Sequence, residues 1–396
     1  MVGPWQVPVA DCAVTLADYS GFGGEAMSMG ERTPLALLDA PAAGRMAVAE
    51  AITNLLAAPI ELPRVKLSAN WMAACGEPGE DAALYDTVRA VGMELCPALG
   101  ISIPVGKDSL SMRTQWQAGG EAKKVVSPVS LIVSAFATLA DVRGTLTPQL
   151  DAQEADTTLV LVDLGHGRKR MAGSMLAQVL DATGCPERDG VPDLDDPQDL
   201  VRLVQAVNAL RARGLVLAYH DRSDGGLIAT VCEMAFAGHV GISLNVDLLV
   251  TEGDGISDSR MDTGDAKNWA GQISARREDL TLRALFNEEP GVVLQVRTAE
   301  RNEVMQLLRE HGLSRISHFI GKTRPESSPM EMGKGEVQVW RDTKMVFGAK
   351  LSDLHQVWDS VSWKICQQRD NPDCADAEHA AAGDPRGAPA WQAPGA

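Results

Sequence analysis

His-Asp-Arg-Ser-Asp-Gly-Gly, residues 220–226, stands between the apolar run Leu215 to Ala218 and the stretch Leu227 to Phe236, which reads as a helix. An apolar strand that ends in carboxylates and glycines before a helix begins is one way to build a phosphate and metal site. The carboxylates face Mg²⁺, and the glycines and helix N-terminus approach phosphate oxygens. A plain strand-to-helix turn uses the same glycines. The rest of the chain has to decide between them.

Around this motif, Thr158 to Leu164 is a β-rich run closed by Gly165 and Gly167, Asp199 to Arg211 is helical, and Gly291 to Val296 is a strand before the amphipathic helix Ala299 to His311. Nearer the N-terminus, Ala42 to Ala58 reads as a helix with Met46, Ala49, Ile52 and Leu56 near one face. Val65 to Ala69 reads as a strand, Ala82 to Leu99 as a helix, and Ile101 to Val105 and Ser127 to Ala137 as further strands. Strands alternating with helices give an α/β (α+β) fold class. The expected organisation is a first subdomain over 1–150, a second over 151–330 with a polar insertion at 251–278, a linker over 331–371, and a disordered low-complexity tail over 372–396.

The chain has 396 residues, 45% of them apolar, enough for two or three domains with a sizeable core. Its formal net charge of -17 argues against a nucleic-acid or anionic-membrane partner, since neither is drawn to an acidic surface without a basic patch. The densest basic cluster, Arg168 to Arg170, reads as a solvated loop. Seven widely spaced cysteines without a Cys-x-x-Cys pair disfavour a zinc site and a disulfide framework. With neither a signal-like N-terminus nor a bilayer-length apolar run, the expected location is cytoplasmic.

Three constellations in the first segment carry oxygen donors. Asp11 ends the run Val-Pro-Val-Ala-Asp, a place for a metal ligand at a strand terminus or simply for a surface aspartate in a turn. Glu50 and Asn54 are four residues apart on the expected helix and share a face that is otherwise Ala, Val, Met and Leu. A carboxylate and an amide oxygen suit Mg²⁺; a solvated polar edge explains them as well. Pro-Val-Gly-Lys-Asp-Ser-Leu-Ser-Met, residues 104–112, groups Lys107, Asp108 and Ser109 after a strand without Walker A spacing, and reads as an anion-binding turn or as a simple polar one.

Taken in order, Gly-Glu-Ala-Met-Ser-Met-Gly-Glu-Arg (24–32), Glu-Ala-Ile-Thr-Asn (50–54), Leu-Ser-Ala-Asn-Trp-Met-Ala-Ala (67–74), Pro-Gly-Glu-Asp-Ala-Ala-Leu-Tyr-Asp (78–86), the 104–112 run and the 220–226 motif resemble the large single-chain phosphoribosylformylglycinamidine synthases. That family is similar to the aminoimidazole ribonucleotide synthetases and carries two synthetase halves followed by a glutaminase. The resemblance implies that this chain is the second half alone, with two mixed subdomains, and that the first half and the glutaminase have no counterpart in it.

The family is an ATP-dependent C–N ligase of purine biosynthesis. ATP phosphorylates the amide oxygen of formylglycinamide ribonucleotide, and ammonia from glutamine displaces the phosphate. Carried over by position, the resemblance implies that Ala10 and Ser223 contact nucleotide, and that Asp11, Glu50, Asn54 and Asp221 ligate Mg²⁺ around ATP or ADP. Lys107, Asp108 and Ser109 are implied as contributors to the substrate cleft, with no catalytic residue in this chain. The implied partners are nucleotide, the first half and the glutaminase, or a second copy in a homodimer, with formylglycinamide ribonucleotide bound only alongside the missing half. Asn-Glu-Glu-Pro-Gly at 287–291 departs from the family's Asn-Glu-Glu-Leu-Gly-Gly. The proline removes a backbone donor and restricts Glu289, which leaves the packing there open.

Overall fold

Thr157–Asp163 is buried at every residue, as a strand inside a sheet covered on both faces should be. Its side chains alternate between two cores, Leu159 and Leu161 on one face and Val160 and Val162 on the other. The computed structural model, which describes residues 1–183, 189–222, 224–251 and 266–384, sets this strand near the middle of a seven-stranded sheet.

In chain order the strands are β1 (Ala13–Leu16), β2 (Gly24–Glu31), β3 (Lys66–Met72), β4 (Ser102–Ser109), β5 (Arg113–Ala118), β6 (Glu121–Val126), β7 (Ser130–Leu139), β8 (Thr157–Asp163), β9 (Ala218–Asp221), β10 (Gly241–Asn245), β11 (Gly291–Arg297), β12 (Ser317–Arg324), β13 (Glu336–Arg341) and β14 (Lys344–Lys350). Among the described residues they form a five-stranded sheet in the order β1-β2-β7-β3-β4, a seven-stranded sheet in the order β14-β13-β10-β12-β8-β11-β9, and the hairpin β5-β6. The mixed α/β class holds, with two main sheets.

The first sheet is built to receive one helix. On β2 the buried positions are Gly24, Ala26, Ser28 and Gly30, small residues at every second place. They let the helix Ala40–Leu55 lie close: a Cβ on Gly30 would stand 2.2 Å from the Ala47 carbonyl oxygen, and Ser28 Oγ donates to the Ala51 carbonyl at 2.6 Å. Asp39 caps that helix by accepting from Ala42 N at 2.9 Å, and Pro41 sits in its first turn, where no N–H is needed.

The far side of the same helix joins a core shared with the second sheet and with the helix Pro197–Ala212. Tyr219 on β9 donates its hydroxyl to the Thr53 carbonyl at 2.6 Å, and Arg211 caps the helix end through the Leu56 and Ala57 carbonyls. The two subdomains therefore share an interior. The other face of the seven-stranded sheet is covered by the helices Gly226–Gly238, Ala266–Phe286 and Leu351–Arg369.

Four expectations change. Residues 331–371 are no linker, because Val337 and Val339 on β13 enter the second core and Leu351–Arg369 packs on it. The composition-based tail is helical over Pro372–Ala382: Asn371 accepts from Cys374 N at 3.2 Å as a cap, and the alanines are good helix formers. Residues 385–396 lie outside the described residues. Within the expected insertion, residues 252–265 also lie outside them, while Thr251 ends the helix Asp247–Thr251 and residues 266–278 belong to the helix Ala266–Phe286. Finally, residues 2–9 belong spatially to the second subdomain, where Val2, Val7 and Val9 are buried and Trp5 stacks on His239 at 4.0 Å.

Candidate functional site

Because the N-terminal segment packs on the second subdomain before the chain enters β1, Asp11 is delivered to the end of β9. Its Oδ1 lies 2.9 Å from His220 Nδ1 and accepts from the Asp221 backbone N–H at 3.0 Å. Ligand atoms of Asp11, His220 and Asp221 all lie within 4.8 Å of one another, and all three residues are buried. The outer oxygens, Oδ2 of Asp11 and Oδ2 of Asp221, are buried without a hydrogen-bond partner. Buried carboxylate oxygens are costly unless paired, so two in one cluster fit a hard cation that the two carboxylates would share.

The charges around them point the same way. Burial pushes the Asp221 carboxyl well above the usual carboxylate range, Asp11 pushes it further, and His220 opposes both. Burial by itself would strip His220 of its proton. Asp11 on one nitrogen and Glu233 on the other, at 2.9 Å each, outweigh it and hold the ring protonated well above the ordinary histidine range. Two ionised carboxylates need two N–H donors, which only the imidazolium offers.

Glu50 and Asn54 stand on the helix Ala40–Leu55, one turn apart, held by opposite ends of one strand segment: Glu50 Oε2 accepts from Glu31 N at 3.0 Å and Asn54 Nδ2 donates to the Met29 carbonyl at 3.1 Å. Burial pushes the Glu50 carboxyl up to about 7 against the pull of Arg32, and the Glu50 charge is felt at Asp221. Arg32, also buried, bonds Glu288 at 2.6 Å and Asp224 at 3.1 Å. The neighbourhood thus holds Asp11, Asp221, Glu50, Glu288, Asp224 and Glu233 against the cations Arg32 and His220. A divalent cation would offset part of that excess.

The structure brings Asp11 and Asp221 into one cluster, with Glu50 within electrostatic reach and Asn54 beside it on the same helix. Ala10 is exposed next to Asp11, and Ser223 lies outside the described residues. Lys107, Asp108 and Ser109 end β4, the opposite edge of the first sheet from β1, paired to Asn70, Trp71 and Met72 of β3. They are not part of the cluster.

The glycines of the 220–226 motif do a different job from the one first read. A Cβ on Gly226, whose φ is +69°, would stand 2.5 Å from the Asn287 carbonyl oxygen, and Gly225 N donates to Glu288 Oε1 at 2.9 Å. They permit close backbone packing, and a protein carboxylate takes that N–H. Asn-Glu-Glu-Pro-Gly is closely packed as well. Glu288 accepts from Arg32, Met175 N and Gly225 N, Glu289 pairs with Arg170 at 2.7 Å, and the Pro290 carbonyl accepts from Leu164 N at 2.9 Å. The proline's missing donor is not needed there.

Sequence reasoning left His220, Glu233, Arg32 and Glu288 without roles. Three of them stood inside quoted motifs, and the signal that was available is that an Arg-rich or His-bearing motif among carboxylates needs countercharges. Their partners are remote: Arg32 and Glu288 are 256 positions apart.

Residues 1–138 match the family model described as FGAR-AT PurM_N-like domain, and residues 157–329 match AIR synthase related protein, C-terminal domain. The chain has an AIR synthase-like fold. Among solved structures, T. maritima PurL complexed with FGAR is similar with a TM-score of 0.58 at 13% identity, over 87% of this chain and 48% of that one. T. maritima PurL complexed with ATP gives 0.55 at 12%, over 86% and 45%. A chain of the HypE-HypF complex gives 0.53 at 14%, over 86% and 92%. At these identities the likeness is one of fold, and the AIR synthase-like chain spans about half the length of the PurL chains it matches. No helix among its described residues is long and apolar enough to cross a membrane.

Proposed function

We propose that this chain is a PurL-type synthetase half that binds Mg²⁺ and ATP or ADP where its two subdomains meet. In this reading it serves the ATP- and glutamine-dependent conversion of formylglycinamide ribonucleotide to the amidine once joined to a first half and a glutaminase. The observation that carries the reading is the pair of unpartnered buried oxygens of Asp11 and Asp221, brought from the two ends of a 210-residue separation. The matched T. maritima PurL structures are described as complexes with FGAR, ATP, ADP and AMPPCP, which supports the ligand class.

Asp11 and Asp221 would hold the cation, and Glu50 and Asn54 are the further oxygen donors proposed for it. Mg²⁺, when bound, neutralises phosphate charge. The chain's own residues do the positioning. His220 fixes Asp11, the Asp221 backbone N–H holds the same carboxylate, and Arg32 keeps Glu288 and Asp224 from adding their full charge to the site. Ala10 and Ser223 are proposed nucleotide contacts. Lys107 and Asp108, exposed on their edge strand, and the half-buried Ser109 beside them would line the substrate cleft of a completed synthase.

Completion has a place to occur. The face of the five-stranded sheet turned away from its helix exposes Met27, Met29 and Phe136, with a groove of about 360 Å³ beside them lined by Ala13, Thr15 and Lys66. We infer that a first half, or a second copy, covers it. Calorimetric titration with Mg²⁺–ADP, repeated with chelator in place of the metal, tests the reading: Mg²⁺-dependent binding at one site per chain is expected. Turnover of ATP dependent on formylglycinamide ribonucleotide by the chain alone would overturn the claim that it needs partners.

A further inference from the structure

His220 is held from both sides, and the hold continues outward. Its Nε2 lies 2.9 Å from Glu233 Oε2 on the helix Gly226–Gly238, and Glu233 Oε1 accepts from the indole Nε1 of Trp358 at 3.0 Å. Trp358 lies on the helix Leu351–Arg369, beyond both segments that match known family models. Four residues, from two helices, one strand and the N-terminal segment, therefore form one chain of contacts, Trp358 to Glu233 to His220 to Asp11, ending on a carboxylate whose other oxygen is buried and free. The far end is anchored by packing: Trp358 and His355 lie against Phe236, with centroids 5.9 and 4.7 Å away.

We propose that Glu233 and Trp358 are positioning residues for the cation site, so that the C-terminal helix Leu351–Arg369 is a working part of it. The inference rests on the reading of Asp11 and Asp221 as Mg²⁺ ligands. Groups that orient a ligand from behind fix its rotamer, and losing one typically costs roughly 10–100-fold in metal affinity. Trp358 Nε1–H fixes one oxygen of Glu233, which sets the other against His220, which in turn sets Asp11. Without the indole donor the carboxylate is free to turn and the relay loosens at each joint.

The same helix supplies a control. Trp363 donates its Nε1–H to Asp376 at 2.8 Å and stacks on His379 at 4.1 Å, an equivalent indole–carboxylate bond that leads away from the cluster. The experiment is Mn²⁺ titration of the purified chain followed by electron paramagnetic resonance, with thermal unfolding of each protein in parallel. Trp358→Phe keeps an aromatic ring against Phe236 and removes the N–H donor; it is expected to weaken Mn²⁺ binding about 10-fold. Trp363→Phe is expected to leave the affinity unchanged. Glu233→Gln, which retains an acceptor for Trp358 but presents an amide to His220, serves as the second variant should Trp358→Phe fail to fold, and is expected to weaken binding at least as much. Equal Mn²⁺ affinity in wild type, Glu233→Gln and any folded Trp358→Phe would overturn the inference while leaving the cation site standing. Absence of Mn²⁺ binding by wild type would overturn the site itself.

Discussion

The two sheets of this molecule are finished to different degrees. The seven-stranded sheet is covered on both faces around β8, which has no exposed residue, and only its edge strand β14 is left largely open. The five-stranded sheet is covered on one face only. On β2 the positions alternate strictly between buried and exposed, and the exposed ones include Met27 and Met29. An apolar side chain is stabilised by roughly 1.5–3 kcal/mol on full burial, so a row left in water is a surface awaiting a partner. The contrast separates what this chain does alone from what it does in company. The carboxylate cluster lies where the covered part of the first sheet meets the second, whereas Lys107, Asp108 and Ser109 lie on the open edge.

The comparison can be broken most sharply at the cluster. Asp11→Ala combined with Glu50→Ala is expected to lower Mg²⁺–ADP affinity by about 100-fold or more, measured by calorimetry, since even outer partners of a metal ligand are worth roughly 10–100-fold. Next in size is a test of the buried charge balance. Arg32→Met leaves Glu288 buried beside Asp224 without its cation, and should cost about 3 kcal/mol in urea unfolding, whereas the exposed pair Arg64–Glu61 should contribute under ~1 kcal/mol. On the open face, Met27→Lys with Phe136→Lys should abolish self-association or capture of a first half in light scattering at micromolar concentration, while unfolding stability and Mg²⁺–ADP binding stay unchanged. Loss of nucleotide binding in that variant would mean the two regions are not separate. At the open edge, Lys107→Ala is expected to leave Mg²⁺–ADP affinity of the isolated chain within about twofold of wild type; a larger drop would join β4 to the cluster and contradict the geometry.

The smallest effect concerns pH. Burial against Trp5 lowers the His239 imidazole to about 4, below its value in the unfolded chain. The unfolded state then binds more protons between about pH 4 and the unperturbed value near 6.5, so this contribution is fully present above that value and is lost as pH falls toward 4. His239 has a φ of +50°, which asparagine tolerates. His239→Asn should flatten the stability profile in that window by at most one proton, and an unchanged slope would locate the acid sensitivity elsewhere.

Much of the second subdomain was legible because its strands are continuous apolar runs: β8 and β11 fall within one residue of where they were read. The 220–226 motif was placed correctly between strand and helix, but β9 is Ala218–Asp221, three residues later than the apolar run, because Tyr219 and His220 are buried through specific partners. Strand β2 went unread. Its buried positions are Gly, Ala, Ser and Gly, chosen for the close approach of a helix, so it lacks the β-branched signature of a strand. The β13–β14 hairpin turns on Asp342 and Thr343, both at positive φ, a turn that composition alone does not mark.

The donor set was read in part from spacing and in part from resemblance. Glu50 and Asn54 are neighbours on any helix, but that Asp11 meets Asp221 depends on residues 2–9 packing on the second subdomain, a tertiary fact with no local signal. The roles of Glu233 and Trp358 were invisible for the same reason, and His220, though inside a quoted motif, gains its role only from partners on other elements.

The central claim, a cation and nucleotide site complete within this chain, is tested most directly by heat-denaturing the purified protein and chromatographing the supernatant for released nucleotide. The account predicts near-stoichiometric ADP or ATP from wild type and none from the Asp11→Ala, Glu50→Ala variant. A folded wild-type protein that releases no nucleotide, and takes up none when Mg²⁺–ATP is added, would contradict it.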